Sequence, residues 1–245
     1  MDKGFKLIAL GDTHGRTIWQ AIVTQEADAD MFIFMGDYFD THENVTAHQQ
    51  IEIFKNILEF KKKYSNKVVL LLGNHDYHYL KGVQEKYSGF QKFFQMDINE
   101  VLEPAVASGL IQMCYKLDKF LFTHAGVTNT WCVRNGIDVN DLEKSINHAF
   151  MTDLDAFSFA YGPNMSKSGN DVTQSPIWVR IPSLFEDAVT GYVYVIGHSQ
   201  LRELTITDNI IGIDTLGTTQ EFLIIEDGVP SSAKLNTDEQ NNNQE

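Results

Sequence analysis

Apolar residues fall along this chain in two rhythms. Short unbroken runs, Lys6-Leu7-Ile8-Ala9-Leu10, Met31-Phe32-Ile33-Phe34-Met35 and Val68-Val69-Leu70-Leu71-Leu72, have the length and composition of buried strands. Between them apolar residues recur at helical spacing: Ile18, Trp19, Ile22 and Val23 within 17–29, then Ile51, Phe54, Ile57 and Leu58 in a segment that ends among lysines near Lys62. Strand and helix alternate, and the strands are apolar throughout rather than on one face. That combination predicts a largely parallel, buried sheet.

Further on, 99–107 and 141–150 read as helices, and 111–115 with 120–122 as the two strands of a hairpin turning near Asp118-Lys119. Residues 192–196 form another apolar strand. Short strands near 204–207, 210–213 and 222–225 suggest a second, mostly antiparallel sheet. The aromatic and basic stretch 77–94 has no clean period and reads as a candidate lid insertion. Residues 157–175, rich in Gly, Ser and Asn, read as a long loop, which in a compact domain is often functional. The polar, Asn/Gln-rich 231–245 is expected to be a disordered tail behind one domain spanning 1–230. There is no internal repeat and no linker.

The loops at the strand ends carry the chemistry. Five apolar strands end in Gly11-Asp12-Thr13-His14-Gly15, Gly36-Asp37-Tyr38-Phe39-Asp40, Gly73-Asn74-His75-Asp76, Thr123-His124-Ala125-Gly126 and Gly197-His198-Ser199-Gln200. Strand ends at the mouth of an open α/β sheet are where such folds keep their sites. Carboxylate, imidazole and amide oxygen together suit Mn, Fe, Zn or Ni rather than the all-oxygen shell of calcium. Two such ions about 3.5–4 Å apart need a bridging carboxylate and activate water for in-line displacement at phosphorus.

In order and spacing these five endings resemble the calcineurin-like metallophosphoesterase superfamily, and within it the Ser/Thr phosphoprotein phosphatase branch with its small bacteriophage and bacterial members. The resemblance runs from Gly11 to His198. It implies an α/β fold, a two-sheet β-sandwich flanked by helices. It implies two divalent transition-metal ions, Mn first and Fe, Zn or Ni as alternatives. Asp12 and His14 would hold the first ion, Asp37 would bridge, and Asn74, His124 and His198 would complete the second, with Asn74 also near substrate. A metal-bridging hydroxide would attack phosphorus in line, with His75 protonating the leaving oxygen and Asp40 orienting His75.

The sequence also departs from that pattern. Thr41-His42 stands where the branch carries Arg-Gly, Leu72 where some small members carry arginine, Asp76 where the branch carries Glu, and Gln200 where the wider superfamily carries a second histidine. One phosphate clamp remains: Ile177-Trp178-Val179-Arg180 resembles the Ile-Trp-x-Arg segment of the small members. Outside the motifs, His42 and His78 are candidate substrate contacts, with the loop at Lys167 as a further source of a clamp. His48 and His148 are expected at the surface, Lys61-Lys62-Lys63 at a solvated helix end, and Tyr77 and Tyr79 over the core.

Composition narrows the functions. The chain has 245 residues, 43% of them hydrophobic, and a formal net charge of −14. So acidic a chain gains no general electrostatic help in binding nucleic acid or an anionic membrane. Cys114 and Cys132 lack metal-site spacing and read as reduced thiols. No apolar run approaches a membrane span and the N-terminus lacks a signal-peptide pattern, so a cytoplasmic protein is expected. The expected substrate is a phosphorylated protein or a small phosphate ester. Phosphodiesterase or dinucleoside polyphosphate hydrolase is the alternative, and a non-catalytic interaction module on the same fold the alternative of another class.

Overall fold

Side chains alternate along the strands and so sort the core into two layers. In a computed structural model, which describes residues 4–41, 43–160 and 168–236, β1 (Lys6–Leu10), β2 (Met31–Phe34) and β3 (Val68–Leu71) run parallel. Leu7 and Ala9 of β1, Ile33 of β2 and Val69 and Leu71 of β3 face one way, into an inner layer shared with the second sheet. Ile8, Leu10, Phe32, Phe34, Val68 and Leu70 face the other way, toward the helices. There α1 (Ile18–Gln25) seats Trp19 on Phe34, with ring centroids 5.8 Å apart, and α2 (Ala47–Lys63) seats Phe60 on Phe32 at 5.7 Å. Thr46 caps α2 in a reciprocal box with Gln49, and three lysines at its end suit the helix dipole.

The chain then passes through a single helical turn, α3 (Asn74–Tyr77), and α4 (Gln95–Ala107), which starts four residues earlier than the periodicity suggests. The expected hairpin strand 111–115 is divided between the sheets. β4 (Ile111–Gln112) pairs parallel with β3, and β5 (Cys114–Leu117) pairs antiparallel with β6 (Phe120–Thr123). Then come α5 (Asn129–Asn135), α6 (Leu142–Thr152), α7 (Ile181–Asp187), β7 (Val193–Ile196), β8 (Thr205–Ile206), β9 (Ile210–Gly212), β10 (Glu221–Glu226) and β11 (Val229–Lys234). The first sheet has the order β11-β10-β1-β2-β3-β4 and the second β5-β6-β7-β9-β8. The result is an α/β sandwich of two mixed sheets with helices outside.

Three further expectations are corrected. The second sheet is mixed rather than mostly antiparallel, because β6, β7 and β9 are mutually parallel and only its edges β5 and β8 reverse. The strand at 222–225 belongs to the first sheet, where β10 pairs antiparallel with β1. Residues 231–234, expected in the tail, complete β11, because its backbone pairs with β10 through Lys234; residues 237–245 lie outside the described residues. Tyr77 and Tyr79 are fully buried, as expected, while His48 and His148 are exposed. Cys114 and Cys132 are free and buried. No described helix is long and apolar enough to cross a membrane.

Where the chain switches sheets, at Met113, the ladder cannot serve both strands. Asn147 on α6 takes over: its Oδ1 accepts from the backbone N–H of Met113 at 2.9 Å and of Cys114 at 3.1 Å, and its Nδ2 donates to the Cys114 carbonyl at 2.8 Å. Asn147→Ala removes the acceptor of the Met113 and Cys114 N–H groups beside the core, while the Cys114 carbonyl keeps Gln112 Nε2 at 2.8 Å. The substitution is expected to cost roughly 1–3 kcal/mol, partly offset by the better helix propensity of alanine. The check is a lower urea midpoint at unchanged m-value; an unchanged midpoint would mean that solvent replaces the amide.

Candidate metal centre

The loops after β1, β2, β3, β6 and β7 meet at one edge of the sandwich, where both sheets present the carboxyl ends of parallel strands. The meeting is tight. The backbone N–H of His198 donates to both oxygens of Asp12 at 3.1 Å, and a Cβ on Gly197 would overlap the same carboxylate. The N–H of His75 donates to Asp37 Oδ1 at 2.9 Å, which a Cβ on Gly73 would displace. Glycine is therefore required at both places by close approach. His14, Asp37, Asp40 and His198 hold φ of 42°, 53°, 62° and 59°, a left-handed backbone that costs non-glycine residues energy. Such strain concentrates at functional sites, where the surroundings impose it.

Three histidines share one arrangement. His14 donates from Nδ1 to the Phe39 carbonyl at 2.8 Å, His124 from Nδ1 to the Met35 carbonyl at 2.8 Å, and His198 from Nε2 to the Trp178 carbonyl at 3.1 Å. A carbonyl can only accept, so each ring carries its proton outward and, when neutral, turns a lone pair inward. The inward nitrogens face acceptors. His124 Nε2 is 3.0 Å and His198 Nδ1 2.8 Å from Asn74 Oδ1, while His14 Nε2 is 3.7 Å and His124 Nε2 3.4 Å from Asp37 Oδ2. Lone pairs directed at an amide oxygen and a carboxylate call for a proton or a cation between them. Metal-ligating histidines characteristically donate their other N–H to a backbone carbonyl or carboxylate.

Electrostatics at the same spot agree. Burial, then the neighbouring Asp214, pushes the Asp12 carboxyl well up, and burial with Asp37 raises Asp214 to about 6. Asp37 is held well down: burial opposes its charge, but His124 and His75 outweigh it. Burial lowers His124, yet Asp37 and Asp12 raise it to about 10. A buried anionic cluster of this kind fits one or more divalent cations held by Asp12, His14, Asp37, Asn74, His124 and His198. Ligand-type atoms of Asp12, Asp37 and His124 all lie within 4.8 Å of one another, and so do those of Asp40, His75 and His78.

The second group is arranged differently. His75 donates from Nδ1 to Asp40 Oδ2 at 3.0 Å, and Tyr79 Oη and Gln91 Nε2 donate to Oδ1 at 2.5 and 3.3 Å. His78 Nε2 stands 2.6 Å from Oδ2, close but off the line of a hydrogen bond. Burial opposes the charge of Asp40, but His75 and His78 hold its pKa at about 2. The carboxylate is saturated by donors and fixes one face of the His75 ring, leaving Nε2 for the cavity that His75 lines.

That cavity is about 640 Å³. Arg180 lines it, donating from Nε to the Ser168 carbonyl and from Nη1 to the His198 carbonyl, both at 2.8 Å. The segment 77–94 contributes Glu85, Lys86, Tyr87 and Ser88 to the wall while Tyr79, Leu80 and Val83 stay in the core. His78 is fully buried behind His75 and does not line the cavity. His42 and Lys167 lie outside the described residues.

Three site residues, Asp214, Arg16 and Lys86, escaped the sequence, and the role of a fourth, Asp76, did too. Asp214 follows β9 as the other site acids follow their strands, but β9 is three residues long and its loop carries no glycine motif. Arg16 lines the cavity from the position just after its motif, and Lys86 from within the 77–94 segment, which carries no motif. Asp76 accepts the backbone N–H of Gly73, Asp37 and Tyr38 at 3.0, 2.8 and 2.7 Å, a structural task invisible without coordinates.

A model of the calcineurin-like phosphoesterase family matches residues 5–211. No curated protein matches the sequence. Among solved structures, a protein serine/threonine phosphatase from Saccharomyces cerevisiae with similarity to human phosphatase PP5 is 12% identical, with 95% of this chain and 81% of that chain covered and a TM-score of 0.56. Yfce, a phosphoesterase from E. coli, is 13% identical, with 95% and 94% covered and a TM-score of 0.44. The first likeness shows the fold.

Titration of chelator-treated protein with Mn is expected to approach about two ions per chain, the number a dinuclear centre takes. Asp37→Asn is expected to lose both together, since the one oxygen Oδ2 of its carboxylate faces both His14 and His124. A stoichiometry that stays at zero under saturating metal, read by calorimetry or elemental analysis, would overturn the cation assignment.

Proposed function

The chain belongs to the calcineurin-like phosphoesterase family, and on that premise we propose that it is a dinuclear-metal-dependent phosphomonoesterase of the protein Ser/Thr phosphatase type. The observation that carries this is the His75–Asp40 pair beside the inward-facing histidine lone pairs: a proton donor next to a cation site. Asp12 and His14 would hold one ion, Asn74, His124 and His198 the other, and Asp37 would serve both. Bound divalent ions would neutralise phosphate charge and lower the pKa of water at the cavity mouth.

The chain's own residues would do the rest. Asp40, ionised down to a pKa of about 2, keeps a proton on His75 Nδ1 and holds the ring edge toward the cavity. Burial lowers the His75 pKa, but Asp37 and Asp40 outweigh it and raise it, which favours the ring's role as donor of a proton to the leaving oxygen. Asp40 with its four neighbours is a poor metal ligand, because every lone pair already has a donor or an imidazole against it. Arg180, fixed by two carbonyls, offers a guanidinium that needs no reordering to meet a phosphate. Retention of His75, Asp40 and the whole donor set argues against a non-catalytic module on this fold.

His75→Ala is expected to keep its metal content and lose roughly 10²–10⁴ in kcat, the usual weight of a general acid. The loss should be smaller for p-nitrophenyl phosphate, whose leaving group needs no proton, than for a phosphoserine peptide. Equal losses on both substrates would contradict the assignment.

Monoester against diester is the test of the function itself. A monoester dianion brings more charge to two cations and Arg180 than a diester monoanion does. The Mn-loaded protein is expected to have higher kcat/KM on p-nitrophenyl phosphate than on its bis ester, and Arg180→Ala to raise KM for the monoester with less effect on the diester. Preference for the bis ester would replace the monoesterase with the phosphodiesterase alternative.

A further inference from the structure

Two cavities on this protein share one side chain. Arg16 lines the cavity at the metal centre, and it also lines a neighbouring cavity of about 690 Å³ between the start of α1 and the start of α2. Arg16 lies directly after the loop of Asp12 and His14. Its Nη1 donates to the carbonyls of Asp12 at 3.2 Å and Thr13 at 3.4 Å, and its Nε meets Glu43 Oε1 at 2.5 Å. Its guanidinium rests on Gly217, where any Cβ would collide with it. The backbone thus holds this cation on the wall between the two cavities. Its carboxylate partner among the described residues, Glu43, is about half exposed, at 49%.

An ion pair with so exposed a carboxylate is weak. A phosphate dianion in the adjoining cavity is a stronger partner for a guanidinium, because it offers charge-assisted, two-pronged contact in a less watery place. If Arg16 turns to the phosphate, Glu43 is left without its cation. The second cavity is suited to supply another. Ile18, Val45, Ile53 and Leu216 give it apolar walls, and Glu43 and Glu52 give it acidic ones. Apolar surface leading to a carboxylate matches the lysine or arginine side chain, whose methylene stem packs while its head seeks an anion.

We infer that Arg16 and Glu43 form an exchangeable ion pair that selects phosphorylated peptides with a basic residue near the phosphate: the phosphate takes Arg16, and the substrate's lysine or arginine takes Glu43 in the second cavity. This rests on the monoesterase proposed above and names its substrate class. Charge is conserved in the exchange, which is why a substrate with both signs gains and a substrate with phosphate alone, or with an acidic neighbour, does not. The chain's net charge of −14 favours approach of such basic peptides over acidic ones.

The test uses the full chain loaded with Mn and three phosphoserine peptides that differ at one position within about three residues of the phosphate, a span of roughly 10 Å, carrying Arg, Ala or Glu there. The expected order of kcat/KM is Arg, then Ala, then Glu, with about three- to tenfold between the first two. Calorimetric binding of the matching non-hydrolysable phosphonate peptides should follow the same order. Glu43→Gln should bring the Arg-to-Ala ratio close to one. Arg16→Ala should raise KM for all three by roughly tenfold or more, while the ratio is kept or grows, because Glu43 is then permanently free. Equal kcat/KM for the three peptides, or a preference that survives Glu43→Gln, overturns the inference, and if p-nitrophenyl phosphate is turned over in the same assay the monoesterase stands without it. Failure to hydrolyse any monoester overturns both.

Discussion

One buried carboxylate fixes the geometry on which the centre depends. Asp76 accepts three backbone N–H groups, from Gly73 at the end of β3 and from Asp37 and Tyr38 after β2. Burial and the nearby Asp37 raise its pKa to about 7, while the N–H donors from Gly73 and Tyr38 pull against them. The result is a staple between two neighbouring loops, and each loop carries site residues in register with it. It locks Asp37 into its left-handed backbone, which turns Oδ1 to the His75 N–H and Oδ2 toward His14 and His124. The resembled phosphatase branch carries glutamate here. Aspartate is one methylene shorter, and its reach suffices because the two loops are in backbone contact: a Cβ on Gly36 would collide with the Gly73 backbone. The short acid and the two glycines are therefore one design.

The parts legible in sequence were those governed by short-range periodicity. Leu7-Ile8-Ala9-Leu10 is apolar on both faces because both faces are covered, one by the second sheet and one by helices, and the same holds for β2 and β3. Five glycine-rich endings after apolar strands could be read as one site because parallel strands must deliver their carboxyl ends to the same edge. That rule covers Asp12, Asp37 and Asn74; that His124 and His198 join them was implied by the family resemblance, because their sheet was expected to be mostly antiparallel and is parallel at β6, β7 and β9.

The parts that were not legible depend on long-range pairing or on single residues. β10 looks like any short apolar strand, and only its antiparallel match to β1, more than two hundred residues earlier, assigns it to the first sheet. β11, with the sequence Val-Pro-Ser-Ser-Ala-Lys, has the composition of a tail; it is a sheet edge that needs a partner backbone more than an apolar face. The split at Met113 hangs on one amide, Asn147, from a helix more than thirty residues on. His78 was legible as a residue near the site but not as what it is. Its Nδ1 accepts from the Tyr87 N–H at 3.2 Å and its Nε2 abuts Asp40, so it ties the wall segment to the carboxylate that orients His75.

The cations around the cavity differ in how they are held, and that difference bears on what each could contribute. Arg180 donates to the carbonyls of Ser168 and His198, and Lys86 to those of His78 and Val83. Carbonyl partners fix direction without cancelling charge, so these two present a positive potential whose orientation is settled before anything binds, the arrangement that lowers reorganisation cost. Arg16 instead gives its Nε to a carboxylate, which does cancel charge and must be given up if the guanidinium is to serve another anion. A fixed cation favours phosphate esters by the charge on the phosphate alone, whatever else the substrate carries. A neutralised one favours only those that compensate the acid left behind, so discrimination is expected at Arg16 and Glu43 and generic affinity at Arg180. Selectivity of this second kind costs affinity for simple esters, because an ion pair must open before the contact forms. On that proposal, affinity for the phosphate and selection by a neighbouring charge are assigned to different side chains, Arg180 in one cavity and the Arg16–Glu43 pair at the wall of the next.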